Sequence, residues 1–367
     1  MIPIYSPSFN KEEKENLLNC INTGWISSQG DFIEKFEYNF ANWNKMQYGV
    51  TTSSCTSALH LTLVALGIGA RDEVICPDLT FIAPANMIRL TGATPVLVDV
   101  NATNWGIDPS KIEEKITAKT KAIIVVHAFG HSADMDRISK IAKKYNLYVV
   151  EDVAEAPGAK YKGKLVGTMG DASCYSFFAN KIMTTGEGGM VITNDKNLDK
   201  NMRIYRDHGM SREKKYVHVV PGFNYRMTNM QAAIGVGQLQ HLDNVLSKRS
   251  KQEGRYEKLF AKNKKIGWRP KEEWCETVHW MSTVVLQSEE LRDPLLEYMK
   301  SKKIDCRQMI YPVHMAEPYK NSNNSRDFPV SKSISLRSLH LPSSLDLTEN
   351  EQIRISECIQ EWLDING

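Results

Sequence analysis

Two charged side chains follow apolar segments of strand length, where the chain is expected to leave a sheet. Tyr148-Val-Val150 runs into Glu151-Asp152, and the segment Ser176-Phe-Phe-Ala-Asn-Lys181 ends on a lysine, just before the glycine-rich turn at 184–189. Ligands bind at the carboxyl ends of the strands in open parallel sheets. We therefore predict that Asp152 and Lys181 face one cleft, although Asp152, taken alone, is more simply explained as a capping residue.

A third feature is the segment Ser53-Ser-Cys-Thr-Ser57, which opens a predicted helix with hydroxyl-bearing residues. Such hydroxyls usually cap the helix, but the free N–H groups of a helix N-terminus also bind phosphate. A phosphate holder, an acid that keeps a pyridine nitrogen protonated and a lysine that can form a Schiff base are together what pyridoxal 5′-phosphate (PLP) needs. Phe81, at the start of another helix, either stacks on that ring or belongs to the core.

Composition excludes several other classes of protein. The 367 residues are 42% hydrophobic and 24% charged, which is typical of a globular chain with a large core. The net charge of +3 argues against a nucleic-acid surface. The longest apolar run, Leu61 to Ala70, is about half of a membrane span, and the seven scattered cysteines form no Cys-x-x-Cys pair. We therefore expect a cytoplasmic protein with reduced thiols and neither a membrane nor a nucleic-acid partner.

The order of helical and strand-like segments predicts an α/β fold. Helices are predicted at Lys11 to Asn22, Asp31 to Asn42, Ser53 to Leu66, Phe81 to Leu90 and Met135 to Lys144. Strands are predicted at Glu73 to Cys76, Pro95 to Val98, Ala122 to Val126, Leu147 to Val150, Ser173 to Phe178 and Met190 to Ile192. Continuous apolar runs of this kind indicate strands that are buried on both faces, as in a mainly parallel sheet.

The last third of the chain has a different pattern. One long helix or two joined helices are predicted from Asn229 to about Asn263. A strand at Met281 to Leu286, a helix at Pro294 to Lys302, a strand near Ile304, a polar loop at 321–325 and a helix at Thr348 to Ile365 follow. We predict a large domain at 1–245 and a smaller α+β domain at 246–367.

Other catalytic or binding motifs are weaker. His127 and His131 are four residues apart, but the segment between them follows a strand and should not be helical, which argues against a shared metal. The sequence has no His-Glu-x-x-His, Walker or Gly-x-Gly-x-x-Gly motif and no nucleophile elbow. We expect no metal site.

Several motifs in fixed order resemble the DegT/DnrJ/EryC1/StrS nucleotide-sugar aminotransferases, which are PLP enzymes of the aspartate aminotransferase fold type I. The likeness covers nearly the whole chain. It is carried by Gly24-Trp-Ile-Ser-Ser28, Glu151-Asp-Val-Ala-Glu155, Gly167-Thr-Met-Gly-Asp171, Ser176-Phe-Phe-Ala-Asn-Lys181, Thr185-Gly-Glu-Gly-Gly189, Gly222-Phe-Asn-Tyr-Arg-Met227 and Tyr311-Pro-Val-His314.

The resemblance implies a role for each candidate residue. Lys181 forms the Schiff base with PLP and later moves a proton, while Asp152 pairs with the pyridinium nitrogen. The remaining cofactor contacts are expected from Glu155 near the 3-hydroxyl, Phe81 on the ring, and Ser54, Cys55, Thr56 and Ser176 at the phosphate, joined by Asn224 of a neighbouring subunit. The family builds its sites across a homodimer interface. Tyr311, His314 and Arg226 are expected in the sugar-nucleotide pocket.

The resemblance also implies a reaction in two halves. L-Glutamate donates its amine and leaves pyridoxamine 5′-phosphate, which then aminates a nucleotide-linked 4-keto-6-deoxy sugar. The residues in these motifs, Glu155 above all, are most similar to those of the branch that acts on C4 of GDP-4-keto-6-deoxymannose. The alternatives are a UDP- or dTDP-linked keto sugar with a 4-amino or 3-amino product, a C3-dehydrating relative, which Lys181 argues against because such relatives carry histidine there, and a PLP-binding regulatory protein without turnover.

Two positions depart from the family pattern. Cys55 stands where family members usually have glycine, and it can replace glycine if its φ angle stays negative. Pro157 stiffens the loop that follows Glu155. Neither change removes a group that the chemistry needs, although Cys55 could weaken cofactor binding.

Overall fold

The computed structural model describes residues 1–322 and 324–367, and these contain fourteen strands and eleven α-helices. The strands are β1 (Tyr48–Thr52), β2 (Glu73–Pro77), β3 (Thr94–Val98), β4 (Thr120–Val126), β5 (Tyr148–Asp152), β6 (Lys160–Tyr161), β7 (Lys164–Leu165), β8 (Ala172–Ser176), β9 (Gly189–Thr193), β10 (Ile266–Trp268), β11 (Cys275–Glu276), β12 (Thr283–Leu286), β13 (Arg307–Gln308) and β14 (Ser338–His340). The helices are α1 (Lys11–Thr23), α2 (Asp31–Trp43), α3 (Cys55–Ala65), α4 (Ala83–Leu90), α5 (Met135–Tyr145), α6 (Lys196–Arg206), α7 (Asn229–Gln240), α8 (Leu242–Phe260), α9 (Arg292–Ser301), α10 (Pro329–Arg337) and α11 (Glu349–Asn366).

The largest sheet has seven strands in the order β1-β9-β8-β5-β4-β2-β3. Strand β9 pairs antiparallel with both of its neighbours, and the other pairings are parallel. Successive residues of β4 show why its sequence is continuously apolar. Ile123 packs with Ile138 of α5 on one face of the sheet, whereas Ile124 packs with Leu59 of α3 on the other. The predicted α/β fold with a mainly parallel sheet is confirmed.

The predicted helices and most of the predicted strands are found, with ends close to those expected. The segment 229–263 is two helices, α7 and α8, which meet at His241. The strand predicted near Ile304 is displaced: Ile304 makes an isolated bridge to Ile2, and β13 begins at Arg307. The predicted polar loop at 321–325 contains parts of two short 3₁₀ turns, and Asn323 lies outside the described residues.

A second sheet has the antiparallel order β10-β12-β14-β13 and packs with α9 and α11. A third, small sheet joins β11 to β6 and β7, so the two halves of the chain are interleaved there. The predicted boundary at residue 245 lies inside α8 and stays a prediction. Among the described residues, no helix is both long and apolar enough to cross a lipid bilayer.

A buried ion-pair network ties α2 to α6. Glu37 is 6% exposed and accepts hydrogen bonds from Arg203 and Arg206, both at 2.7 Å, and from Thr51 Oγ1 at 2.8 Å. Although burial acts in the opposite direction, the two guanidinium groups and the Thr51 N–H lower the pKa of Glu37 to about 2. The network therefore needs the ionised carboxylate.

We expect Glu37→Gln to destabilise the fold by about 3–5 kcal/mol at pH 7, because the largely buried Arg206 loses its counter-charge and Arg203 keeps only Asp199. A carboxyl whose pKa is depressed contributes stability above its unfolded pKa and loses it as the pH falls through the folded value. The difference from wild type should therefore shrink between pH 4.5, the ordinary value, and about pH 2. Urea unfolding at several pH values measures this, with Glu34→Gln, exposed on the same helix, as the control.

Candidate active site

A cavity of about 390 Å³ lies at the carboxyl ends of the parallel strands. Val126, Asp152 and Ser176, the last residues of β4, β5 and β8, all line it. The structure also brings these predicted site residues into the lining: Ser54, Cys55, Thr56, Phe81, Glu155 and Lys181. The cleft predicted from the strand ends therefore contains both Asp152 and Lys181.

Asp152 is a buried carboxylate with few partners. It is 5% exposed, accepts the Ala154 N–H at 3.0 Å through Oδ1, and has the Cys55 Sγ at 4.0 Å from the same oxygen. Burial raises the pKa of Asp152, and the Ala154 N–H and the charge of Lys181 offset this only in part. A protonated pyridine nitrogen would supply the cation that this carboxylate lacks.

Lys181 lies between an acid and an aromatic ring. Its Nζ is 3.8 Å from Glu155 Oε1 and 3.7 Å from the centre of the Trp280 ring. The other oxygen of Glu155 accepts the Phe129 N–H at 2.8 Å. Phe129 adopts a left-handed backbone conformation with φ of 52°, which is unusual for a bulky residue. Burial raises the pKa of Glu155, against the lowering effect of Lys181.

Two distant aromatic residues hold the backbone next to the lysine. The Tyr5 hydroxyl donates to the Lys181 carbonyl at 2.9 Å, and the Trp280 indole N–H donates to the Asn180 carbonyl at 2.7 Å. Arg249, which is 2% exposed, links the pair: its guanidinium lies 5.3 Å from the Tyr5 ring and donates to the Trp280 carbonyl at 2.8 Å. The backbone that carries the Lys181 side chain is therefore held by two hydrogen bonds, one at Lys181 and one at Asn180.

The N-terminus of α3 lies at the cavity, and a helix N-terminus of this kind suits phosphate binding. Ser54 caps the helix by accepting the Ser57 N–H at 3.1 Å, and the first N–H groups of a helix have no partner within it. Cys55 and Thr56, which carry such groups, both line the cavity. A side chain at Gly189 would collide with the Ser54 and Cys55 backbone, so β9 packs directly beneath this segment.

The residues that line the cavity fit PLP. A buried acid without a cation, a lysine 3.8 Å from a second acid and an open helix N-terminus share one cavity. Cys55 is not among the residues with a positive φ angle, so it adopts the backbone conformation that lets it replace glycine. Pro157 lies in the turn after Glu155, where Gly158 takes a φ of 94°.

The residues predicted for the sugar-nucleotide pocket lie elsewhere. His314 is 3% exposed; its Nδ1 is 2.7 Å from Asp78 Oδ2, and its Nε2 is 3.3 Å from the Ser325 hydroxyl. Tyr311 is exposed, with the Arg292 guanidinium 5.7 Å from its ring. Neither residue lines the cavity. Their role in substrate binding stays a prediction.

Asn224 and Arg226 also lie outside the cavity, on the segment between α6 and α7. Asn224 is exposed and accepts from Arg226 Nε at 3.1 Å, while Arg226 Nη1 is 3.0 Å from Asp207 Oδ1. Asn224 therefore does not contribute to the cavity of its own chain. The expected contact across a subunit interface stays a prediction.

The structure adds residues that sequence reasoning missed, namely Tyr5, Trp280, Arg307 and His340. The last three line the cavity. They lie about a hundred residues or more from Lys181 along the chain. Arg307 and His340 belong to β13 and β14 of the second sheet, and Trp280 lies just before β12. The only sequence signal was their position at the edges of short apolar runs, which is common throughout the chain.

The two histidines considered for a metal are engaged otherwise. His127 Nδ1 accepts the Ala133 N–H at 3.2 Å, which leaves the proton on Nε2, 2.9 Å from Glu151. Glu151 also accepts the Gly167, Met169 and Gly170 N–H groups and so organises the loop after β7. His131 Nδ1 lies 2.7 Å from the Ser132 carbonyl, and burial lowers the pKa of His131 to about 4.

Among α/β proteins, the sheet order together with a lysine just beyond β8 defines the PLP-dependent transferases of fold type I. Within that class the match is specific. The model of the DegT/DnrJ/EryC1/StrS aminotransferase family matches residues 7–360, and the chain belongs to this family. It is therefore a PLP-dependent sugar aminotransferase.

Individual relatives are similar over almost their whole length. The chain is 44% identical to a GDP-perosamine synthase of Escherichia coli O157:H7 over 361 residues, 98% of each chain. It is 41% identical to a GDP-perosamine synthase of Caulobacter vibrioides, covering 99% of this chain and 98% of the relative. Among solved structures, an aminotransferase from Psychrobacter cryohalolentis superposes with a TM-score of 0.91 at 33% identity, covering 99% of both chains.

We expect Tyr5→Phe and Trp280→Phe each to lower kcat by about two- to tenfold, the effect of losing one net hydrogen bond. Tyr5→Phe keeps the ring and loses only the hydroxyl that anchors the Lys181 carbonyl. Trp280→Phe keeps an aromatic ring, but it loses the pyrrole part of the indole together with the N–H that anchors the Asn180 carbonyl. Steady-state kinetics and thermal unfolding measure this, with Tyr38→Phe, an exposed tyrosine, as the control. A fall in stability with no change in kcat would contradict the positioning role.

Proposed function

We propose that the enzyme transfers the amino group of L-glutamate to C4 of GDP-4-keto-6-deoxymannose and so produces GDP-perosamine. The single observation that carries this proposal is 44% identity over 98% of the chain to a GDP-perosamine synthase, in a protein whose cavity joins Lys181 to Asp152. Glu155, whose presence favours C4 amination in the family pattern, lies 3.8 Å from the lysine amine.

Each side chain has a definite task in this reaction. When bound, PLP accepts the amino group of the donor and passes it to the keto sugar. Lys181 is its covalent attachment point and, once free, the base and acid that moves a proton at the substrate carbon. Asp152 holds a proton on the ring nitrogen, and Glu155 steadies the free lysine ammonium beside the Trp280 ring.

The remaining contacts are proposed on position alone. Cys55 and Thr56 N–H groups and the Ser176 hydroxyl hold the phosphate, because all three residues line the cavity and can donate to an anion. Phe81, which is 60% exposed at the cavity edge, covers the ring. Ser54 keeps the helix N-terminus in place as its cap.

We propose a homodimer in which the segment that carries Asn224 and Arg226 reaches the cavity of the partner. Asn224 is exposed and lies outside the cavity of its own chain, which supports this arrangement. We also propose that Tyr311 and His314 contribute to binding of the sugar nucleotide, either through direct contact or by holding the adjacent loop in place. We also propose that residues 246–367 form the smaller domain.

A panel of nucleotide-linked 4-keto sugars tests the proposal. PLP-loaded enzyme is incubated with L-glutamate and the GDP-, UDP- or dTDP-linked sugar, and products are measured by mass spectrometry. We expect an amino sugar only, or at least tenfold faster, from GDP-4-keto-6-deoxymannose. Faster turnover of a UDP- or dTDP-linked sugar would replace the substrate. No release of 2-oxoglutarate with any sugar would favour a regulatory protein.

A further inference from the structure

The charges that line the cavity are unequal. Among the described residues, three acidic residues and two cationic residues line it: Asp152, Glu155 and Glu187 against Lys181 and Arg307. Lys181 is committed to the cofactor in the proposed function. An amine donor with two carboxylates would therefore enter a cavity that repels it, unless Arg307 provides the balancing charge.

Arg307 is placed for that task. It is the first residue of β13, pairs in register with His340 of β14, and His340 pairs in turn with Thr283 of β12. Directly paired residues share one face of a sheet, so the three side chains form a row, of which Arg307 and His340 line the cavity. Within residues 1–322 and 324–367, the Arg307 guanidinium has neither an ion pair nor a hydrogen bond, although it is exposed to solvent.

Its neighbour His340 is fixed and neutral. His340 is 4% exposed, its Nδ1 is 2.9 Å from the Thr283 hydroxyl, and its ring centre is 5.5 Å from that of Phe129. Burial, together with the charges of Arg307 and Lys181, lowers the pKa of His340 to about 4. A neutral imidazole adds a hydrogen-bonding group to the row, and it adds no second positive charge.

We infer that Arg307 is the binding site for a carboxylate of the amine donor. His340, which is held in place beside it, offers a hydrogen-bonding group at the same site. A guanidinium presents paired N–H groups that match a carboxylate. The inference rests on the proposed function, because it takes glutamate as the donor. The diphosphate of a nucleotide sugar is the competing anion. We favour the carboxylate because Arg307 shares the lining with Lys181. The α-carboxylate is bonded to the carbon that carries the donor amine, whereas the diphosphate is attached at C1, across the sugar ring from the reacting C4.

The first experiment separates the two substrates. Conversion of PLP-loaded enzyme by L-glutamate is followed by absorbance in the absence of sugar, for wild type, Arg307→Gln and Arg307→Lys. We expect the glutamate concentration for half-maximal rate to rise by tenfold or more in Arg307→Gln, the effect of losing a charged hydrogen bond, and less in Arg307→Lys. Arg326→Gln, an exposed arginine outside the cavity, is the control and should behave as wild type.

A second readout does not depend on turnover. Glutarate, a dicarboxylate without an amine, is titrated into PLP-loaded enzyme by calorimetry, and its Kd should rise by tenfold or more in Arg307→Gln but not in Arg326→Gln. Thermal unfolding shows whether each variant is folded. Unchanged glutamate dependence and glutarate affinity would overturn the inference, as would a raised KM for the nucleotide sugar alone. If wild type fails to respond to glutamate, the proposed donor is wrong, and glutarate binding still decides the role of Arg307.

Discussion

Replacing Lys181 with alanine is expected to abolish turnover, with a loss of at least about 10³-fold, because the same amine attaches the cofactor and moves the proton. The variant should still bind PLP, but without a covalent bond, since the α3 N-terminus and Asp152 are unchanged. Turnover is measured by 2-oxoglutarate release, and the state of the cofactor by its absorbance before and after gel filtration.

The matched control for this prediction is Lys119→Ala, an exposed lysine at the opposite end of the sheet that precedes β4. It should leave both the rate and the absorbance unchanged. Near-normal turnover in Lys181→Ala would show that another amine performs the chemistry. Failure of Lys181→Ala to fold would appear in thermal unfolding and would be separable from a loss of activity in folded protein.

Asp152→Asn has the second largest expected effect, a loss of about 10²-fold or more in kcat, because a neutral amide no longer holds the ring nitrogen protonated. The same substitution should stabilise the protein when the cofactor is removed. Both effects come from one carboxylate, which is 5% exposed and whose pKa is raised by burial.

The sign of the stability effect follows from that raised pKa. A carboxyl with a folded pKa above its unfolded value contributes stability at low pH and loses it as the pH rises through the folded value. At neutral pH the raised pKa of Asp152 therefore represents a cost in stability in the cofactor-free protein, and asparagine removes this cost. Thermal unfolding of cofactor-free wild type and Asp152→Asn at pH 7.5 measures it. A lower midpoint in the variant, or wild-type kcat, would contradict the assignment.

The parts of the site that could be predicted from sequence are those adjacent to the central strands. Asp152 ends β5, and Cys55 opens α3 directly after β1 and a short turn. The apolar pattern that locates β5 therefore also locates Asp152, whereas Cys55 was located by the hydroxyl-rich start of the helix predicted at Ser53 to Leu66. Lys181 follows β8 by five residues, and the glycine-rich segment after it indicated a turn.

The parts that could not be predicted depend on contacts between distant segments. Tyr5 meets the Lys181 carbonyl across 176 residues, and Trp280 meets Asn180 across 100. Strand β14, which carries His340, has only three residues, too few for a periodic pattern. Strand β1 was missed because its residues Gly49, Thr51 and Thr52 are not strongly apolar, although β9 and α2 bury them.

His314 shows a third case, in which the sequence motif singles out the residue but does not predict where its side chain lies. The motif Tyr311-Pro-Val-His314 suggested a substrate contact. In the structure the His314 ring is hydrogen-bonded to the buried carboxylate of Asp78, which directly follows β2. Asp78 accepts the His314 N–H as well, at 2.8 Å. This pair anchors the segment after β13 on the central sheet, next to the cavity wall that carries Arg307.

The claim on which the account depends most is that the Lys181 amine is the covalent attachment point of PLP. Reduction of the PLP-loaded enzyme with borohydride, followed by proteolysis and peptide mass spectrometry, tests it directly. We predict a phosphopyridoxyl group on the peptide that contains Lys181 and on no other lysine. A stable adduct on a different lysine, with an unmodified Lys181, would contradict the account.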